Sequence, residues 1–234
     1  MEMNDKLWQS NTELFDLIHR ELFTCVVGDV MDGLGFSRQF LPPQIRPLDR
    51  SMVVVGRAMT VLEADLLAGS VQGGADPLMA KPFGLMFRAL DDLKQHEVYI
   101  CAGASPRYAL WGEPMSLRAI RLGASGAVLD GFSRDTKEIL ALKFPTFSYG
   151  SYGQDQGPRG KVVDFRVPIE IGGVSIRDGD IVFGDMDGVC IIPREIENDV
   201  LRLALEKVRG EQKVRDAIEK GMSSCEAFDR YQIM

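Results

Sequence analysis

Apolar and polar positions follow two different periods along this chain, and the changes of period mark out its elements. Over residues 11–35 the spacing is helical: Leu14, Leu17, Ile18 and Leu22 lie three or four residues apart and form one apolar stripe. Thr24 stands where an N-cap would open a second helix, and Gly33 and Gly35 where it would end. The stretch FLPPQIRPL, with three prolines, reads as a loop. SMVVVGRAMTVLEA then predicts a strand pair or one bent strand, with Gly56 marking the bend. LLAGSVQGGADPLMAKP is a glycine-bearing loop of the kind that serves as a lid or a subunit contact.

Beyond it helix and strand patterns alternate. FGLMFRALDDLK predicts a helix and EVYICAG a strand; PMSLRAIRLG predicts a helix closed by Gly123, and GAVLDG a strand; DTKEILALK predicts a helix and PTFSYG a strand. Such alternation builds βαβ units around a mostly parallel sheet. After Gly150 the texture changes. VVDFRVPIEIGGVSIRDGDIVFGDMDGVCIIP is rich in β-branched residues and in Gly-Gly and Asp-Gly turns, so it predicts a run of strands with hairpins. From Arg194 to about Lys220 the period is helical again, with Ile196, Val200, Leu203, Ala204 and Val208 on one side. No repeat, low-complexity stretch or linker interrupts the pattern. The expectation is an α/β fold in a single domain over residues 1–234, with a parallel-rich central sheet, a β-rich second half and a C-terminal helix.

Composition narrows the classes. With 234 residues, 45% of them hydrophobic, the chain can bury a substantial core. A net charge of −7 argues against general nucleic-acid binding, which needs clustered Lys and Arg, yet leaves room for a small anion held by one or two local arginines. No apolar run approaches the roughly 20 residues that span a bilayer, and MEMNDKLWQSNTELFDL lacks the basic start and apolar centre of a signal peptide. The expected setting is cytoplasmic, away from membranes. Cys25, Cys101, Cys190 and Cys225 are far apart with no CxxC pair, which disfavours a zinc site; the first three sit in apolar runs and are expected to be small core residues.

Two short pairs carry the candidate chemistry. Gly112-Glu113 and Arg134-Asp135 each follow a predicted strand and open a predicted helix, so both lie at the carboxyl ends of neighbouring strands, where open α/β sheets place ligands. Glu113 and Asp135 can hold a hard cation such as Mg²⁺, directly or through water. Arg134 can grip a substrate carboxylate or receive charge on a developing enolate oxygen. The same acids have a structural use, as caps and dipole partners of the two helices, and composition alone favours that use. Glu138 reads as a solvated helix residue. Asp185 and Asp187, in FGDMDG, predict a hairpin turn rather than a metal site. Asp29 and Asp32 either line a pocket or cap helices. Asp155 and Arg159, in SYGQDQGPRG, form either an ion pair or a substrate loop. His19 and His96 are remote from every motif. Ser116 and Ser133 flank the key pairs without a base partner.

These residues carry a resemblance. Gly112, Arg134-Asp135 and, after two more residues, Glu138, set in the frame LGASGAVLDGFSRD and accompanied by VVGDVMDGLG and DGDIVFGDMDGVCIIPRE, resemble the RraA-like proteins. That family includes class II pyruvate aldolases acting on 4-hydroxy-4-methyl-2-oxoglutarate and 4-carboxy-4-hydroxy-2-oxoadipate. The resemblance covers the chain from about Thr24 to the C-terminal helix. It implies a swivelling α/β/β-type domain, assembled as a homotrimer or hexamer with sites between subunits. It implies Mg²⁺ or Mn²⁺ at Asp135, ordering of the metal's water shell by Glu113, contact of Arg134 with the keto oxygen, and a further carboxylate from a neighbouring subunit. The implied substrate is a small 2-oxo acid, cleaved or decarboxylated through a pyruvate enolate. In the family, backbone N–H groups just after the Gly-Glu pair cradle the pyruvate carboxylate. Here those positions are Pro114 and Met115, and Pro114 has no N–H to give. The family also includes a regulator that inhibits a ribonuclease, and the same metal site would suit a dehydratase or isomerase.

Overall fold

A computed structural model describes residues 7–66 and 77–231; most of the glycine-bearing loop expected as a lid lies outside the described residues. The chain divides into two compact units, Arg38–Arg194 and a second built from the residues up to 37 and those from 195 onward.

The chain opens with α1 (Asn11–Glu21) and α2 (Thr24–Gly33). The larger unit then runs β1 (Arg46–Pro47), β2 (Val54–Asp65), β3 (Phe83–Gly84), α3 (Met86–Asp91), β4 (Glu97–Ala102), β5 (Ala109–Trp111), α4 (Glu113–Leu122), β6 (Gly126–Leu129), β7 (Phe132–Ser133), α5 (Thr136–Leu142), β8 (Thr146–Ser148), β9 (Gly160–Phe165), β10 (Ile169–Ile171), β11 (Val174–Ile176), β12 (Ile181–Asp185) and β13 (Gly188–Ile192). The chain ends in α6 (Glu197–Glu219) and α7 (Ser224–Tyr231). The fold is mixed α/β, with a parallel centre and a β-rich second half, as the sequence pattern predicts.

The main sheet has the order β1-β8-β6-β4-β2-β12-β13, with β9 pairing β2 and β3. Its centre, β2-β4-β6-β8, is parallel throughout and in chain order. Parallel strands are covered on both faces, which explains why β4 and β6 read as unbroken apolar runs. Tyr99, Cys101, Ala127 and Leu129 point to one face and pack with Met86, Ala89 and Leu90 of α3, Met115 and Ala119 of α4 and Ile139 of α5. Val98, Ile100, Val128 and Phe147 point to the other and meet Ile169, Ile171, Val174 and Ile176 of the β10–β11 hairpin. The predicted helical cover is thus present on one face, and a hairpin takes the place of helices on the opposite one. Asp185 and Asp187 bracket the β12–β13 hairpin turn, where the Asp187 N–H donates to Asp185 Oδ1 at 2.9 Å.

The other unit is helical. Ser10 caps α1 by accepting from the Glu13 N–H, α6 buries Val200, Leu201, Ala204 and Leu205, and Lys207 of α6 pairs with Asp29 of α2 at 2.6 Å. That pair gives Asp29 a structural partner.

Several expectations are corrected. Thr24 is the first residue of α2 and is buried; Phe23 occupies the cap position with no side-chain bond. Cys25 is exposed, while Cys101 and Cys190 are core residues as expected. The apolar helical period did not reveal α7, which follows α6 after a short break. Gly56 does not bend the chain. β2 is one continuous strand of 12 residues whose irregularity lies at Leu62/Glu63, opposite β9. Gly56 is required for close approach instead: a Cβ there would lie 2.4 Å from the His96 carbonyl oxygen and 3.0 Å from Val98. Gly56→Ala should therefore lower stability by about 1–3 kcal/mol through overpacking against backbone that cannot yield, read as a lower urea midpoint with an unchanged m-value.

Candidate active site

The two motif pairs meet, but not directly at the ends of β4 and β6. A small parallel ribbon intervenes: β5 pairs with β7, placing Ala109 opposite Phe132 and Trp111 opposite Ser133. Gly112-Glu113 leaves β5 and Arg134-Asp135 leaves β7, so one residue beyond the last ladder contact the pairs lie side by side. The Arg134 N–H donates to the Trp111 carbonyl at 2.9 Å and locks this register.

Trp111 is itself immobilised. It is buried, stacks on Phe144 with centroids 6.0 Å apart, and its indole N–H donates to Ser116 Oγ at 2.7 Å. Ser116 in turn lies within hydrogen-bond reach of the Gly112 carbonyl. Ser116 and Ser133 are both buried and hydrogen-bonded, as structural parts of the ribbon.

Asp135 decides the geometry. It has φ 56°, a left-handed conformation that Asp tolerates better than most residues. Although it stands at the N-cap position of α5, its side chain makes no cap bond to that helix. Its Oδ2 accepts from the Glu113 N–H of α4 at 3.1 Å instead. The capping use weighed from sequence therefore holds in altered form: Asp135 satisfies the start of the neighbouring helix. The contact demands glycine at 112, since a Cβ there would lie 2.6 Å from Asp135 Oδ2.

Arg134 sits between two carboxylates. Its Nη1 donates to Asp155 Oδ1 at 2.5 Å, and its Nε lies 3.7 Å from Asp135 Oδ2. The sequence suggested an Asp155–Arg159 ion pair, but Arg159 donates to the Asp155 backbone carbonyl instead, leaving the carboxylate to Arg134. The loop that carries Asp155 is fastened to the ribbon: the Ala109 N–H donates to the Gln154 carbonyl, and the Tyr152 N–H to the Ser133 carbonyl. Sequence reading noticed this glycine-rich stretch but could not aim it, because its partner lies 21 residues away.

These groups line one cavity of about 270 Å³, shared by Gly112, Pro114, Met115, Arg134, Asp135 and Asp155 with an aromatic and aliphatic wall. The Glu113 side chain is not among its lining groups; that residue contributes its N–H to Asp135. Pro114 fills the first turn of α4, as its fixed φ favours. The first intrahelical bond of α4 runs from the Ser116 N–H to the Gly112 carbonyl. The acceptor four residues before Met115, the Trp111 carbonyl, receives Arg134 instead. The Met115 N–H is thus the remaining first-turn donor, at the positive end of the helix.

A divalent cation fits this donor set. Asp135 offers a hard carboxylate, about one-third exposed and fixed at one oxygen by backbone. No group of three His, Cys, Asp or Glu side chains converges among the described residues. One or two carboxylates with retained waters suit Mg²⁺ or Mn²⁺, whereas zinc sites take three or four protein ligands.

Behind the cavity lies a buried carboxyl group that no motif of the sequence marks. Glu63, at the irregularity in β2, is buried, and its Oε2 accepts from the amide of the cavity-lining Gln156 at 2.6 Å. Burial pushes its pKa up to about 8, against a smaller opposing effect of the Gln156 hydrogen bond.

Comparisons with known proteins agree with this architecture. The RraA-like family, described as Aldolase/RraA, matches residues 24–191, and the chain belongs to it. A protein of Halalkalibacterium halodurans named "Putative 4-hydroxy-4-methyl-2-oxoglutarate aldolase" is 31% identical over 89% of this chain and 90% of its own. A solved structure described as one of several novel cellulases from gut-associated microbes is 32% identical, covers 90% of each chain and superposes with a TM-score of 0.77. RraAS2 of Streptomyces coelicolor, described as an unusual member of the RNase ES inhibitor RraA family, is 21% identical. It covers 89% of this chain and 98% of its own with a TM-score of 0.74, a likeness of fold.

The Glu63 environment generates a pH prediction. With its pKa raised on folding from 4.5 to about 8, native Glu63 keeps a proton that the unfolded chain has already lost. Stability should therefore fall as pH rises through this window, by up to about 1.4 kcal/mol per unit, and level off above it. Glu63→Gln, which retains an acceptor for Gln156, should remove that slope, so that its advantage over the parent grows through the same window and levels off above about pH 8. Parallel stability curves for the two proteins in urea melts would show that Glu63 does not titrate in this way.

Proposed function

We propose that this chain is a divalent-metal-dependent lyase that cleaves or decarboxylates a small 2-oxo acid through a pyruvate enolate. The observation that carries the reading is the convergence on one cavity of Arg134, the fixed carboxylate of Asp135 and the open first turn of α4. A Mg²⁺ or Mn²⁺ ion would be held by Asp135 and would supply Lewis acidity at the substrate carbonyl. Gly112 leaves room beside Asp135, and the Met115 N–H would donate a hydrogen bond to the substrate carboxylate. Arg134, oriented by Asp155, receives the negative charge that grows on the keto oxygen as the C–C bond breaks. Glu113 contributes its backbone N–H, which holds the Asp135 carboxylate in place. Retro-aldol cleavage removes the 4-hydroxyl proton and breaks C3–C4; loss of CO₂ from a 3-carboxyl group leaves the same enolate, which takes a proton at C3 to give pyruvate.

Pro114 supports a second reading, dehydration or isomerisation at the same site, because it removes one carboxylate donor worth about 1.5–3 kcal/mol. A polysaccharide reaction is not carried over from the cellulase-described relative, since a cavity of about 270 Å³ suits a small molecule rather than a glucan chain. Assembly as a homotrimer or hexamer is part of the proposal. Leu117 and Ile120 of α4 and Leu140 of α5 are exposed apolar side chains on adjacent helices, as an interface would provide. No described helix is long and apolar enough to cross a membrane, which is compatible with the cytoplasmic setting that belongs to this reading.

With Mg²⁺ or Mn²⁺, pyruvate should be released from oxaloacetate or from 4-hydroxy-2-oxo acids in a coupled assay, and a chelator should stop it. Asp135→Ala should lose at least about 100-fold in turnover. Undiminished turnover in that variant or in chelator contradicts the metal role; tight association with a ribonuclease without any lyase activity favours the regulator. Light scattering should give three or six times the 26.0 kDa chain mass, and a monomer would remove the proposed intersubunit site.

A further inference from the structure

The charged side chains lining the cavity form one linked group: Arg134 reaches Asp155 at 2.5 Å and lies 3.7 Å from Asp135, with Gln156 as a neutral neighbour. The remaining wall is apolar: Phe83, Met86, Phe87, Leu110, Trp111 and Met115. Phe83 and Phe87 meet edge to face with centroids 5.8 Å apart, and Phe87 is 57% exposed, unusual for a phenylalanine outside an interaction surface. Phe83 adopts φ 68°, a conformation disfavoured for a bulky residue. Gly157 stands against its ring, where a Cβ would lie 3.1 Å from Cζ.

The charge balance limits what can enter. Among the described residues, the one cationic side chain lining the cavity, Arg134, is already ion-paired to Asp155. A divalent ion at Asp135 would offset the single carboxylate of a pyruvyl head. A second substrate carboxylate seated against the aromatic lining would then meet Asp155, with no further cationic side chain among the described lining residues. An anion held beside a carboxylate without a cationic partner is disfavoured by like-charge repulsion.

We infer that the substrate is a 4-hydroxy-2-oxo acid whose C4 substituent is an uncharged aryl or branched alkyl group, seated on the Phe83–Phe87 pair, in place of a second carboxylate. This rests on the 2-oxo acid reading above. The reaction balances without a redox partner. The 4-hydroxyl proton passes to water in the cavity, C4 becomes an aldehyde or ketone carbonyl, the C3–C4 electron pair becomes the enolate, and return of a proton from water to C3 gives pyruvate.

The test compares 2-oxo-4-phenylbutanoate with 2-oxoglutarate by titration calorimetry of the full chain with Mn²⁺. The two ligands share the pyruvyl head and differ in carrying a phenyl or a carboxylate at the far end. Pyruvate is the reference. The phenyl ligand should bind at least about tenfold tighter than pyruvate, and 2-oxoglutarate no tighter than pyruvate. Phe87→Ala should narrow the phenyl advantage, and Phe87→Arg, which adds a cation at an exposed position, should shift preference toward 2-oxoglutarate. Cleavage of 4-hydroxy-2-oxo-4-phenylbutanoate should likewise exceed that of 4-hydroxy-4-methyl-2-oxoglutarate in kcat/KM. Pyruvate binding without any gain from the phenyl group, or a preference for 2-oxoglutarate in the parent, overturns this inference and leaves the lyase reading standing. No binding of pyruvate or either analogue overturns both.

Discussion

The site depends on one contact: a carboxylate pressed against the first turn of a neighbouring helix. Asp135 reaches the Glu113 N–H only because its own backbone is left-handed and because residue 112 has no side chain to keep it away. An ionised carboxylate there satisfies an orphan helix donor and sits in the favourable field of the helix end. Asp135 and the adjacent Arg134 both line the same cavity. The structural cap and the proposed ligand site share one arrangement, so the two uses of Asp135 do not compete.

The ribbon of β5 and β7 sets the spacing. Parallel strands that end in helix starts present two positive helix termini side by side, and the Trp111–Arg134 backbone bond fixes their offset. Trp111, clamped between Phe144 and Ser116, gives this ribbon a rigid floor. Arg134 and Asp155 are each more than one-third exposed, so their ion pair contributes little to stability and matters for aim. Glu63 is the opposite case. It is deeply buried and tied to the cavity through Gln156, and a charge there would be costly.

Family membership fixes the scaffold and leaves the chemistry to individual side chains. Pro114 is the instructive departure. At the start of α4 it suits the helix yet withdraws a donor, which leaves the Met115 N–H as the uncommitted donor of that turn. A cavity lined by aromatic and aliphatic side chains, with its one described cation already paired, is consistent with a ligand that needs fewer anionic contacts than a dicarboxylate.

The periodicities of the chain determined the parallel centre, the β-rich second half and the long C-terminal helix, because burial on two faces, on one face or along one stripe writes a different apolar spacing into each. The Gly-Glu and Arg-Asp pairs were legible because they follow strands and open helices. What the sequence left open was decided by contacts between segments far apart in the chain. The β5–β7 ribbon is too short to leave a period. Gly56 looks like a bend until the His96 carbonyl is seen beside it. Asp155 has a nearer candidate partner in Arg159, and only the path of its loop across β5 and β7 delivers it to Arg134. Glu63 reads as an ordinary polar position in a strand. Its burial, and the shift that follows, come from the packing of residues over the end of β2, which no local pattern encodes.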